Sequence, residues 1–496
     1  MKALRRYYQV FFLALFCVLI YLSVQGRLKG YPVTLFLDSS ALNGIGALLS
    51  SWNVAHSIWI GFGILALTAL LGRFFCGWLC PLGTIFQLVS WLSEPRAVEA
   101  RIERNRHVAA QLYKYLLLVG LLVCAAWGVL QIGWFDPIAL LTRSTATFLA
   151  PLIGDARHIY GRTVPVRCFQ GAPLIAGMFI GLLLLNAYRP RFWCRYVCPL
   201  GALLGAAARW MPFGMVRDPH TCTHCGLCES VCPAACAPST TLSQYECFLC
   251  WNCVARCPKK SLSWGVLRTR QKVAAAPDLT RRMFLGALGS GLAAIAALRL
   301  PGLGRGRGAP AVMRPPGALA EADFLERCLK CGQCMKVCPT NVLQPALAEA
   351  GVEGLLTPVL NMAYGYCELN CTLCSQVCPT GAIRRLTIAE KLGQPDGKPL
   401  KLGTAFLDRG RCLPWAMMRN CLVCQEVCPV SPKAIYTLEE EVRMADGTRL
   451  RLRQPYVDPA KCIGCGLCQH ECPLHDRPAI RVSAVGESRA GGGFYL

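Results

Sequence analysis

Four stretches within the first 190 residues run apolar with almost no charge: Tyr7 to Gln25, Val54 to Gly72, Tyr115 to Ile132 and Ala172 to Tyr188. Each is about the length that crosses ~30 Å of hydrocarbon as a helix. Core helices of a soluble protein do not combine such length with so few charges four times over. The pattern therefore predicts a membrane α-helical bundle over residues 1–210, with four transmembrane helices. A fifth apolar run, Met283 to Leu298, is weaker and rich in small residues. The rest of the chain is polar, with short apolar runs such as "AIRRL", "AIYTL" and "AIRV" that predict brief strands in small α+β units.

Charge orients the bundle. Lys2, Arg5 and Arg6 precede the first apolar run, and Arg73, Arg96, Arg101, Arg104 and Arg106 follow the second. The excess of basic residues puts both ends of the bundle in the cytoplasm, although Arg143, Arg157, Arg162 and Arg167 lie in the loop between the third and fourth runs. The composition agrees with a membrane protein: 54% of the 496 residues are hydrophobic and 16% charged. The net charge of +24 does not indicate a nucleic-acid partner, because the arginines flank apolar segments rather than clustering with interleaved aromatics.

The bundle contains a repeat. "RFFCGWLCPLG" at 73–83 follows the second apolar run and "RFWCRYVCPLG" at 191–201 follows the fourth. Two parallel repeats place both motifs at one membrane face. If the segments are helical, the four-residue step sets Cys76 over Cys80 and Cys194 over Cys198. Four thiols then converge, as cluster ligands, as a disulfide or at a quinone, unless they are merely small packing residues.

There are 32 cysteines. Disulfide scaffolds are short and loop-rich, whereas this chain is long and repeats its cysteines in fours followed by proline. Cys222, Cys225, Cys228, Cys232 and Cys247, Cys250, Cys253, Cys257 each follow the C-x2-C-x2-C-x3-C-P spacing. Three thiolates two residues apart wrap one iron–sulfur cubane, and the fourth cysteine ligates the neighbouring cluster. Cys257 is thus expected to complete the first site and Cys232 the second, making residues 211–265 a cytoplasmic two-cluster ferredoxin-like domain. Zinc is the competing metal, but its sites are built from cysteine pairs rather than three thiols in a row and a Cys-Pro.

Arg281 and Arg282 then stand before the fifth apolar run, in a segment 266–322 that combines a twin-arginine export signal with flexible linkers. An ordinary anchoring helix is the alternative. The uncharged run is short for a span at ~1.5 Å per residue, which favours the signal. Either way the chain beyond it emerges outside. Residues 323–496 carry four more groups: Cys328, Cys331, Cys334, Cys338; Cys367, Cys371, Cys374, Cys378; Cys412, Cys421, Cys424, Cys428; and Cys462, Cys465, Cys468, Cys472, each followed by proline. This predicts a periplasmic four-cluster ferredoxin-like domain, and six [4Fe–4S] clusters in all. Exchange of the fourth cysteine is expected to be sequential, first group with second and third with fourth, with a nested arrangement as the alternative.

Cys17, Cys124, Cys168 and Cys236 remain and are expected to be structural. No C-x-x-C-H haem signature, flavin signature or Gly-rich nucleotide fingerprint occurs. Asp38, Asp136, Asp155 and His158 are acidic or histidine groups of the outer loops that could take protons, but none is assigned a catalytic role. His56 is the one histidine in an apolar run, too few for a paired-histidine haem.

On these motifs the N-terminal part resembles the NapH and MauN ferredoxin-type membrane proteins. The C-terminal part, with Arg281-Arg282 and "RPPGALAEADFLERCLKCGQCMKVCP", resembles the exported NapG and MauM polyferredoxins, so the chain reads as a fusion of the two. The resemblance implies a quinol dehydrogenase component in a bacterial inner membrane, taking electrons from the quinone pool to a periplasmic redox partner, a c-type cytochrome or reductase subunit, of the nitrate reductase system. A metal-handling or maturation protein of the CcoG type, or a donor to methylamine-utilisation proteins, is the alternative.

Overall fold

The computed structural model describes all residues except 25, 27, 29–30, 53–57, 150, 152–157, 160–161, 164–166, 241, 268–279, 300–311, 395–396, 444–448 and 490–496. Asp155 and His56, and the side chain of His158, lie outside the described residues.

Among the described residues eight helices of eight or more residues build the bundle: α1 (Lys2–Val24), α2 (Ala41–Ser51), α3 (Ile58–Leu71), α4 (Pro81–Leu92), α5 (Tyr113–Ala126), α6 (Pro137–Ser144), α7 (Ala172–Tyr188) and α8 (Pro199–Ala207). Among the described residues three helices are long and apolar enough to cross a membrane: Lys2–Val24, Ala109–Ala126 and a ninth, α9 (Arg281–Arg299). α3 and α7 are apolar but shorter, at 14 and 17 residues. Four of these helices, α2, α4, α6 and α8, were not expected at all. α2 has too many small and polar positions to stand out as a span, and α4 begins inside the first cysteine repeat.

The apolar run Met283 to Leu298 is part of a longer helix. α9 extends over both arginines to Arg299, 19 residues in all, and packs along α5. The Cys124 thiol donates to the Gly291 carbonyl at 3.5 Å, and Arg299 donates to the Trp127 carbonyl at 2.6 Å. The two helices run parallel, so α9 carries the chain from one end of the bundle to the other.

The cysteine-rich units are built from paired strands and short helices. β1 (Phe213–Arg217) pairs antiparallel with β2 (Leu262–Val266), framing the first two cysteine groups. In the C-terminal unit β3 (Leu343–Pro345) pairs with β4 (Pro358–Leu360), β5 (Thr404–Leu407) with β8 (Ile480–Ser483), and β6 (Ile435–Arg443) with β7 (Arg449–Val457). "AIYTL" and "AIRV" enter strands as expected. "AIRRL" does not: it makes one isolated bridge, Ala318 to Ile383. That bridge also corrects the linker. From Val312 onward the chain belongs to the C-terminal unit, where the fully buried Arg314 side chain pairs with Glu321 at 2.6 Å and donates to the Pro358 carbonyl at 2.9 Å.

Candidate iron–sulfur sites and the thiol centre of the bundle

The ferredoxin-type cysteines gather as their spacing requires. Cys222, Cys225 and Cys228 line one cavity with Cys257. In the C-terminal unit Cys338 joins Cys367, Cys371 and Cys374; Cys472 joins Cys412, Cys421 and Cys424; and Cys428 joins Cys462, Cys465 and Cys468. Exchange is therefore sequential. The four cavities are of near-equal size, about 20 Å³ each, which suits one kind of guest. Two further sets have the same composition. Cys334 lies in the field of Cys331, Cys328 and Cys378, and Cys253 in that of Cys250, Cys232 and Cys247.

A tetrahedral zinc site would draw its thiolates to about 2.3 Å from one point. Among the described residues no group of three or more His, Cys, Asp or Glu is placed to hold a single metal ion. The thiols instead line a space, which fits a cluster. Burial, with added repulsion from neighbouring cysteines, pushes the Cys424 and Cys465 thiols up to about 12. Such thiols ionise readily only when metal takes the place of the proton.

Cys236 departs from its expected structural role. It is buried, and its thiol hydrogen-bonds both Cys232 and Cys247. Its backbone N–H donates to the Cys232 sulfur at 3.3 Å. The hydrogen bond from Cys236 is the first cause that holds Cys232 below its ordinary value, at about 7. No spacing rule picks out Cys236, because it contacts the site as a fifth thiol beyond the four-cysteine run. Cys17 and Cys168 are exposed.

The bundle repeat is not two helical faces. Phe74–Trp78 is a short helix, Trp193–Val197 a π turn, and both end before the second cysteine. Proline disfavours helical backbone in the residue before it and suits the first position of a new helix. Cys80 and Cys198 are accordingly extended N-caps, with Pro81 and Pro199 opening α4 and α8. The four thiols still converge. Cys80 and Cys198 each interact electrostatically with Cys194 and Cys76, and all four are buried in one core.

The arginine of each repeat serves the other. Arg191 donates to the Cys76 carbonyl at 2.8 Å. A side chain at Gly201 would come within 2.8 Å of an Arg73 nitrogen and 3.5 Å of the Cys198 sulfur. Both guanidiniums also stack on Phe248, at 4.8 and 4.7 Å. Phe248 belongs to the loop of the second cysteine group, and its carbonyl lies so close to Gly77 that no side chain fits there. Arg73 Nε and Nη2 and Arg191 Nε are buried without a partner among the described residues. An anion between the repeats would satisfy them, and a cluster on four thiolates is a net anion.

The opposite end of the bundle receives the C-terminal unit. Leu329 sits against Gly133, where any side chain would collide with its backbone. Lys330 donates to the Leu130 carbonyl at 3.2 Å, Arg143 to the Lys330 carbonyl at 3.1 Å, and Arg167 to the Lys336 carbonyl at 2.6 Å. From Gly133 the chain leads through Trp134 to Phe135, whose ring stacks on Trp193 at 6.4 Å, next to Cys194. Asp136 follows, fully buried. It caps α6 and accepts from Ser40 at 2.6 Å. Asp38 accepts from Thr34 at 2.7 Å.

Comparison with known proteins agrees with this chemistry. A family described as "4Fe-4S binding domain" matches residues 54–97 and 171–215, the two bundle repeats. One described as "4Fe-4S dicluster domain" matches 326–382 and 418–475, and another 4Fe-4S binding domain matches 219–235. An uncharacterized protein of Methanocaldococcus jannaschii is 30% identical over 206 residues, 41% of this chain and 76% of its own length. The ferredoxin-type protein NapH of Escherichia coli is 30% identical over 206 residues, 39% of this chain and 62% of its own length. The methylamine utilization ferredoxin-type protein MauM of Methylorubrum extorquens is 46% identical over 76 residues, 15% of this chain and 33% of its own length. No solved structure matches.

The fold and the cysteine sites define a membrane-bound iron–sulfur electron-transfer protein with ferredoxin domains. Over its N-terminal half the chain is similar to the ferredoxin-type proteins NapH and MauN.

Proposed function

We propose that the chain is a transmembrane electron conduit, taking electrons from membrane quinol and passing them through [4Fe–4S] clusters to an acceptor on the far side. Six clusters occupy the ferredoxin-type sites. A seventh centre is held by Cys76, Cys80, Cys194 and Cys198. The reading rests on one observation: cysteines of all three sets share a single hydrophobic core. Cys232 and Cys247 of the 211–265 unit, the four bundle thiols, and Cys331 of the C-terminal unit belong to it. Buried apolar packing keeps centres close and dry, and low dielectric and hydrogen bonds to sulfur then set their potentials. A maturation factor acting on metal at one face has no use for a chain of sites that reaches the other.

The remaining assignments belong to the same reading. Arg281-Arg282 and α9 take the C-terminal unit across the inner membrane, leaving 211–265 in the cytoplasm and 323–496 in the periplasm. A reductase subunit or c-type cytochrome of the nitrate reductase system, or of methylamine utilisation, accepts the electrons. The test replaces Cys80 or Cys198 by serine. Quinol-driven reduction of the C-terminal clusters should stop while the six ferredoxin-type sites stay loaded. Because the four thiols act as a unit, the double replacement should be hardly worse than either single one. Full reduction in the double variant refutes the bundle centre.

A further inference from the structure

A cavity of about 450 Å³ opens where α1, α4 and the cysteine loops of the 211–265 unit meet. Its size lies within the ~300–1,000 Å³ of small-molecule sites. At its deep end is Arg5, 2% exposed, with Nε and Nη1 unpartnered among the described residues. Its Nη2 reaches only Asn252 Oδ1, at 3.5 Å. A buried guanidinium with idle donors costs free energy unless a ligand accepts from it. The far rim is different in kind: Val10, Leu88 and Trp91 are apolar and more than half exposed on the bundle surface. The wall between carries Val231, Pro233 and Asn252, which flank Cys232 and Cys253.

We infer that this cavity binds the ring of a membrane quinone. Arg5 donates to a ring carbonyl oxygen, and the isoprenoid tail leaves past Val10, Leu88 and Trp91. The inference rests on the quinol reading above and names its site. An anionic lipid headgroup is the nearest competitor, since Lys2, Arg6, Arg101 and Arg104 also line the cavity. Two of these are already engaged. Arg101 donates to the Pro95 carbonyl at 2.6 Å and pairs with Glu94 at 3.3 Å. Arg104 donates to the carbonyls of Ser93 at 2.6 Å and Tyr188 at 3.0 Å. What remains at depth is one fixed pair of donors on a buried guanidinium, with an apolar exit at Val10, Leu88 and Trp91, which suits a ring with an acceptor oxygen and an apolar tail better than a solvated phosphate. The place also suits transfer, because the wall residues adjoin cysteines of the cluster site nearest the bundle thiols.

The experiment uses the full chain with its clusters in nanodiscs, and a short-chain naphthoquinone as the probe. Binding is read by equilibrium dialysis, and cluster content by dithionite bleaching, which needs no quinone site. Arg5→Met removes the donors, and Leu88→Trp fills the rim from an exposed position. Each should weaken quinone binding about tenfold or more while bleaching stays at the wild-type level. Wild-type binding in both variants overturns the site and leaves the quinol reading standing. A wild-type protein that binds no quinone overturns both. Loss of bound phosphatidylglycerol in the variants, with quinone binding unchanged, makes the cavity a lipid site and overturns the inference.

Discussion

Glu246 holds the 211–265 unit to the bundle, and replacing it by glutamine measures that hold. One carboxylate oxygen accepts from Arg73 at 2.6 Å and Lys114 at 2.5 Å, and the other accepts from the Tyr115 hydroxyl at 3.1 Å. Every group in the set is buried. Glutamine keeps the shape and one acceptor but leaves two cations without an anion. Removing one partner of a buried pair costs about 3–5 kcal/mol, mostly the penalty of the charge left behind. The Glu246 bridge spans 173 residues of sequence to Arg73 and 132 to Lys114, so the cost falls on docking rather than on the unit's own fold. At ~1.4 kcal/mol per tenfold, the undocked state should become about 100- to 4,000-fold more populated. Amide exchange of residues 244–256 in the detergent-purified protein reads that population directly. Lys114→Met in the Glu246→Gln background removes one orphan cation and should recover about 1–2 kcal/mol, a coupling typical of contacting charges. A change below about 1 kcal/mol in the single variant, or a double variant whose costs simply add, would show that solvent reaches the cluster of charges and refute the reasoning.

Three further outcomes are expected. Anaerobically isolated protein should hold about 28 iron and as much sulfide per chain, four for each cluster, and the Cys80→Ser/Cys198→Ser variant about 24; stoichiometric zinc with little iron would contradict every site assignment. Reporter fusions within 258–275 and after residue 320 should read opposite compartments, because α9 runs the length of the bundle beside α5; one compartment for both would remove the crossing. Gly133→Val should undock the C-terminal unit, since a side chain there meets the Leu329 backbone, at a cost of about 1–3 kcal/mol or more; native docking by amide exchange of 328–337 would show that the interface can shift to accommodate it.

What was legible in the sequence follows from how local each feature is. Three thiols around one cubane are fixed by two-residue steps, so the four-cysteine groups and the pairing of Cys257 with the first of them could be read from spacing, whereas spacing left sequential and nested pairing of Cys338 and Cys472 both open. The bundle repeat was legible as a repeat, but the condition that both cysteines of each motif share a helix is not met, and Pro81 and Pro199 carried the signal that Cys80 and Cys198 must be extended. α2 was missed because "ALNGIGALLSS" mixes small and polar residues, and its burial comes from neighbours such as α3, where Gly61 lets the Ala41 backbone approach. Glu246, Cys236 and Gly133 were invisible for a different reason. Each acts through a partner in another cysteine group or another unit, and a lone Glu, Cys or Gly in a loop has no pattern to betray that.

The buried charges argue that metal loading and assembly are one process. Arg73, Arg191 and Lys114 are fully buried around the bundle thiols, and Glu246 is shared by two of them. Buried cations of this kind persist only where anions compensate them. Four neutral thiols supply none, whereas a thiolate-held cluster supplies net negative charge at the point where the two repeats exchange their arginines. The same arginines stack on Phe248, which the 211–265 unit contributes. Loading the bundle centre should therefore tighten the seam between the repeats and the seam to the cysteine loop together. With a cluster bound there, two Arg…Cys…Cys-Pro motifs rather than one would give charge balance: each half would supply two thiolates, and Arg73 and Arg191 would both lie in the field of thiolates from the two halves.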